Sequence, residues 1–99
     1  MPAYLISQIT INDREEFAKY LAGFMEVTAP YNCSVLAAAD SVEVIEGSWP
    51  CSRTVILEFP SLEQARSWYR SPGYQALAQH RFKASSANLI FVDSFKAPQ

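Results

Sequence analysis

The run Arg53-Thr-Val-Ile-Leu-Glu-Phe-Pro-Ser61 constrains this chain most. Arg53 to Phe59 favours a strand, and Pro60 removes the backbone donor that would continue its ladder. Ser61 with Gln64 three residues later is a capping box, so the strand passes directly into a helix carrying Leu62, Ala65, Trp68 and Tyr69. Upstream, the polar turn Gly47 to Ser52 implies a hairpin. Counting outward from that turn makes Val42 to Glu46 the partner strand, with Glu46 opposite Arg53, Val44 opposite Val55 and Val42 opposite Leu57.

The flanking segments complete the pattern. Ala3 to Ile11 is β-branched and aromatic, apolar on both alternating faces, and predicts a central strand covered on both sides. Asn12, with Glu15 three residues on, predicts the cap of a helix bearing Phe17, Tyr20, Leu21, Phe24 and Thr28 and ending before Pro30. Ser34 to Ala39 is a short β-prone run, joined through Asp40-Ser41 to Val42–Glu46 as one bent strand or as two. The second helix breaks at Ser71-Pro72-Gly73, and helical spacing resumes with Tyr74, Leu77, Ala78, Arg81 and Phe82. Leu89 to Phe95 predicts the last strand, and Lys96 to Gln99 a frayed tail.

The order β-α-β-β-α-β predicts an α+β, ferredoxin-like fold, a four-stranded antiparallel sheet with both helices on one face. Ninety-nine residues suit one domain over 1–99, because a chain this short buries only about 60 to 68% of its unfolded surface and cannot divide its core. The opposite face is left bare, yet the strands are apolar on both faces. Hydrophobic residues make up 49%, more than so small a monomer needs, so a second copy is expected on that face, closing a dimeric α+β barrel.

Ten acidic residues against eight basic ones, with no Lys/Arg cluster, argue against nucleic acid as a partner. The N-terminus carries no signal-peptide pattern and no apolar run approaches the roughly 20 residues of a membrane span, so a cytoplasmic protein is expected. In the predicted hairpin, Cys33 and Cys51 stand much farther apart than the roughly 7 Å a disulfide tolerates, which makes them free thiols. One histidine and two separated cysteines offer no protein-only metal site, and no cofactor is expected.

Together Glu46-Gly-x-Trp49, Arg53, Val55-Ile-Leu-Glu-Phe-Pro60, Ala65, Trp68-Tyr69 and Ser71-Pro-x-Tyr74 resemble the family named domain of unknown function 1330, over nearly the whole chain. The resemblance implies a subunit of the dimeric α+β barrel superfamily, whose members include cofactor-free monooxygenases, muconolactone-type isomerases and haem-binding proteins. Sites are grafted onto this fold independently, so it does not assign a reaction.

Candidate residues follow from their chemistry. Glu58 lies among Val55, Ile56, Leu57 and Phe59, where a carboxylate is costly unless paired; desolvated, it would suit proton transfer, and the alternative is a structural ion pair. Arg53 is a candidate anchor for a ligand carboxylate, or else the cross-strand partner of Glu46. Trp49 would roof a cleft or plug a partner subunit, while Tyr69 and Tyr74, beside the helix break, would wall a cavity or pack in the core. His80 falls off the apolar stripe and is expected to be exposed; a general base or a haem ligand is its alternative role. The leading expectation is a homodimer with one sheet–helix pocket per subunit, binding a small carboxylate-bearing or aromatic metabolite and catalysing cofactor-free proton transfer on it. The alternatives are a non-catalytic dimer that binds a ligand or partner, and a monooxygenase-like or haem-binding barrel.

Overall fold

The computed structural model describes residues 1–95, so the tail Lys96 to Gln99 lies outside the described residues. Strand β1 spans Ala3–Ile11, helix α1 Arg14–Thr28, and strands β2 and β3 Ser34–Ala39 and Arg53–Phe59. Helices α2 (Leu62–Arg70) and α3 (Pro72–Ala84) and strand β4 (Ser85–Asp93) follow. The sheet is antiparallel throughout in the order β2-β3-β1-β4, with β1 central. This is the α+β, ferredoxin-like arrangement that the order of elements predicts.

Period-two alternation divides the sheet into two unlike faces. Leu5, Ser7 and Ile9 of β1 stand beside Leu57, Val55 and Arg53 of β3, and on the other side beside Phe91, Leu89 and Ala87 of β4. This face meets the helices, and Leu5, Ile9, Leu57 and Phe59 join Phe17, Tyr20, Trp68 and Tyr74 in the core. The opposite face carries Tyr4, Ile6 and Gln8 beside Glu58, Ile56 and Thr54, with Val92, Ile90 and Asn88 on the β4 side. No helix among the described residues covers it: Ile6 and Ile56 are half-buried and Ile90 is 56% exposed.

Caps set the helix ends. Asp13 rather than Asn12 caps α1, its carboxylate accepting from the Glu16 N–H at 3.2 Å. The N–H groups of Asn12 and Asp13 both donate to the Ala84 carbonyl, which holds Asn12 at the end of β1 and starts the helix one residue later than predicted. Ser61 caps α2 as expected. Ser71 ends α2 and starts α3: its Oγ donates to the Trp68 carbonyl at 2.7 Å and accepts from the Tyr74 N–H at 3.2 Å. Helices α1 and α3 approach closely at Gly23, where a Cβ would lie 2.7 Å from Leu77 Cδ1.

Two expectations about strands are corrected. Val42 to Glu46 forms no strand; Ser34–Ala39 pairs with β3 instead, Ala39 opposite Thr54 and Ser34 opposite Glu58, with an irregularity between Val35 and Ala37. The register is set from β1: the Ser52 N–H donates to the Ile9 carbonyl and the Ile11 N–H to Ser52 Oγ, both at 2.9 Å, so residues 40 to 52 become a long connection. Arg53 accordingly pairs with Asp40, Nη1 to Oδ1 at 2.8 Å, and not with Glu46. The last strand begins at Ser85, four residues before its predicted start, because Ser85 Oγ caps the Arg81 carbonyl at 2.7 Å and Ser85 pairs at once with Ile11.

Candidate functional site

Between the inner sheet face and the helices lies a cavity of about 120 Å³. Its floor is sheet (Leu5, Ser7, Ile9, Val55, Leu57 and Leu89), and its roof is α1 with Phe17, Tyr20 and Phe24. Trp68 of α2 and Tyr74 and Arg81 of α3 form the remaining wall. The mouth opens beside the edge strand β2, where the lining residues Leu21, Val35 and Ala38 are exposed. Arg53 lines the same cavity from the start of β3.

The polar groups of this cavity are few. Tyr20 and Tyr74 share a hydrogen bond of 2.8 Å between their hydroxyls. Burial pushes the Tyr20 phenol well above its ordinary 10.0, the neighbouring Tyr74 adds to the shift, and the nearby Arg81 opposes it. That shift favours the protonated phenol over the phenolate, and either hydroxyl can be the donor of the shared bond. Arg81 is 4% exposed, and its Nε has no hydrogen-bond partner among the described residues. Its Cζ lies 4.9 Å from the centre of the Phe82 ring and 5.9 Å from that of Tyr20, within cation–π range. Trp68 Nε1 is occupied by Thr28 Oγ1 at 3.0 Å, and Ser7 Oγ leans toward the Val55 carbonyl at 3.4 Å. Among the described residues, no carboxylate and no histidine lines the cavity.

The residues singled out in the sequence scatter around this centre. Arg53 and Tyr74 meet in the cavity. Glu58 lies on the other sheet face, between Tyr4 and Ser34 in the register, with the sheet separating it from the cavity. Tyr69 turns toward Leu5, Leu89 and Phe91 in a separate groove. Trp49 stands in the long connection, donating from Nε1 to Thr54 Oγ1 at 2.9 Å, so it borders the face that carries Ile56 and Glu58. His80 is half-buried on the outside of α3, where Nδ1 is 2.6 Å from Glu16 Oε2. That contact and Lys19 hold the Glu16 carboxyl below its ordinary value. Both cysteines are free, and burial raises the Cys33 thiol to about 11.

Sequence reasoning passed over Arg81 and Tyr20. Their positions on the apolar stripes of α3 and α1 were visible, and a charged residue within an apolar helical stripe is the signal that marks Arg81. Among the described residues, no cluster of three or more His, Cys, Asp or Glu side chains could hold a metal ion, and no helix is long and apolar enough to cross a membrane.

Solved structures share this architecture. A protein of unknown function from Rhodopseudomonas palustris has a TM-score of 0.78 at 18% identity, over 97% of this chain and 84% of its own. SnoaB, a cofactor-independent oxygenase from Streptomyces nogalater, has a TM-score of 0.65 at 15% identity, over 99% and 94%. A dimeric ferredoxin-like protein of unknown function from Thermobifida fusca has a TM-score of 0.63 at 11% identity, over 95% and 92%. At such identities the likeness is one of fold. No curated protein matches the chain in sequence. The family model for a domain of unknown function, DUF1330, matches residues 2–95, and the chain belongs to that family.

Proposed function

We propose that this chain is a small-molecule-binding protein that works as a homodimer, with the ligand held in the sheet–helix cavity and the second copy on the open sheet face. The observation that carries the first half is the cavity itself, an aromatic and aliphatic chamber with a few convergent polar groups, which is the general form of a small-molecule site. Its lining suits a small, partly apolar molecule.

The second half rests on the band Ile56, Ile6 and Ile90, which crosses three strands in register on a face that no helix among the described residues covers. A contiguous apolar band of this kind is costly in water and gains by burial against its own copy. Ferredoxin-like neighbours from Thermobifida fusca and Bacteroides fragilis are dimeric, which supports the same arrangement. Glu58, on that face beside Tyr4, then belongs to the region between the copies rather than to the ligand.

Ligand binding is favoured over proton transfer because Glu58 is on the far side of the sheet and Tyr20, inside the cavity, keeps its proton. Trp68 lines the cavity and reports on its occupancy. In a Trp49→Phe background, a panel of small aromatic and aliphatic compounds is expected to change Trp68 emission saturably. Unchanged emission with every compound at millimolar concentration would remove the cavity from the account. Sedimentation equilibrium at micromolar protein is expected to give twice the 11.1 kDa chain mass, and the single-chain mass would remove the dimer.

A further inference from the structure

Building on the cavity reading above, we propose that Arg81 is the anchor for the carboxylate of a single-ring aromatic acid bound among Phe17, Phe24, Trp68 and the two tyrosines. An arginine that is 4% exposed, with an Nε lacking a partner among the described residues, is an unusual thing for a fold to keep. Buried charges are normally paired, since desolvating an ion costs several kcal/mol that only an opposite charge or good hydrogen bonds offset. None of the ion pairs among the described residues involves Arg81. A ligand carboxylate would supply the missing acceptor, and the planar fork of arginine matches a carboxylate through two parallel N–H donors.

The rest of the cavity limits what carries that carboxylate. Five aromatic rings line it, and its volume of about 120 Å³ is below the about 150 Å³ of an engineered apolar cavity that accommodates benzene, so it admits no more than one ring. Arg81 is the one cation of the lining with no charged partner among the described residues, which matches one negative charge and favours a monoanion over a dianionic phosphate. The Tyr20–Tyr74 pair adds a second polar contact. Two hydroxyls carry two protons and only one lies between them, so the other is available to a ligand oxygen. Arg53, the other cation of the lining, already has its charge matched by Asp40 at 2.8 Å, which makes it the weaker anchor.

The test compares benzoate with nitrobenzene, a neutral molecule of nearly the same shape, by calorimetry and by the side-chain Nε–H signal of Arg81 in nitrogen-15 NMR. Benzoate is expected to bind at least about tenfold more tightly than nitrobenzene and to shift the Arg81 signal, since charge-assisted hydrogen bonds are worth a factor of this size. In Arg81→Met the two affinities are expected to converge to within about threefold. The wild-type comparison stands even if that variant folds poorly. Equal affinities in the wild type would overturn the anchor while leaving the cavity reading intact. A preference for benzoate that survives Arg81→Met but disappears in Arg53→Gln would move the anchor to Arg53 and overturn the proposal. Binding of neither compound would remove both the anchor and the cavity reading.

Discussion

Single side chains hold much of this fold's local geometry, and Ser71 is the most economical of them. One hydroxyl closes α2 by donating to the Trp68 carbonyl and opens α3 by accepting from the Tyr74 N–H, and this turn places Trp68 and Tyr74 in the same cavity wall. Loss of an N-cap side chain costs about 1 kcal/mol, and here the Trp68 carbonyl also loses one of its two donors, keeping the Ser71 N–H at 3.1 Å. Ser71→Ala is therefore expected to lower stability by about 1–2 kcal/mol in urea denaturation, and a change under about 0.3 kcal/mol would show that the cap is dispensable. At this scale the sequence was readable: Ser61 and Ser71-Pro72 announce their roles by residue type. Asn12 and Asp13 did not, because both can cap, and the choice depends on a carbonyl 72 and 71 positions away at Ala84, about which local pattern says nothing.

Between elements, what decides the structure is contact across long sequence distances. Residues 40 to 52 show this best. Val42 to Glu46 is β-prone in residue type, but Ser52 is bonded to β1 and Asp40 to Arg53, so the run is left in a connection where Ile45 is 90% exposed. A double-mutant cycle on Asp40 and Arg53 is expected to give a coupling of about 0.2–1 kcal/mol, the range of exposed ion pairs, whereas Glu46 and Arg53 should show none. The opposite result would restore the predicted hairpin register.

Helices α1 and α3 meet through Glu16 and His80, with Lys19 on the same carboxylate. Those contacts lower the Glu16 pKa from 4.5, so its folded-state value lies below its unfolded one. Its contribution is complete above the unfolded value and is lost as pH falls through the folded value. Wild-type stability is thus expected to fall more steeply than that of Glu16→Gln as pH drops below 4.5, in denaturant titrations at successive pH values. Parallel profiles would show that the pair contributes nothing to folding.

For the whole molecule, the sheet divides the labour: one face holds the core and the cavity, and the other carries the apolar band proposed to meet a second copy. The element order and the central place of β1 were legible because β-branched runs, caps and Pro60 agree with one another. Which face a residue occupies was not. Alternation groups Glu58 with Thr54 and Ile56, and Leu57 with Val55 and Phe59, but with both sets largely apolar the pattern cannot say which one the helices cover. Arg81 stayed hidden for a related reason, since helical spacing shows that it sits on the inner stripe but not that a cavity awaits its guanidinium.

The most direct measurement of this division uses selectively methyl-labelled protein with bound benzoate and records contacts from ligand ring protons to methyl groups. Contacts to Leu5 and Leu57, with none to Ile6, Ile56 or Ile90, are the predicted result, because the first pair lines the cavity and the second set lies across the sheet. Contacts to Ile6 or Ile56 would place the ligand on the open face beside Glu58 and contradict the account.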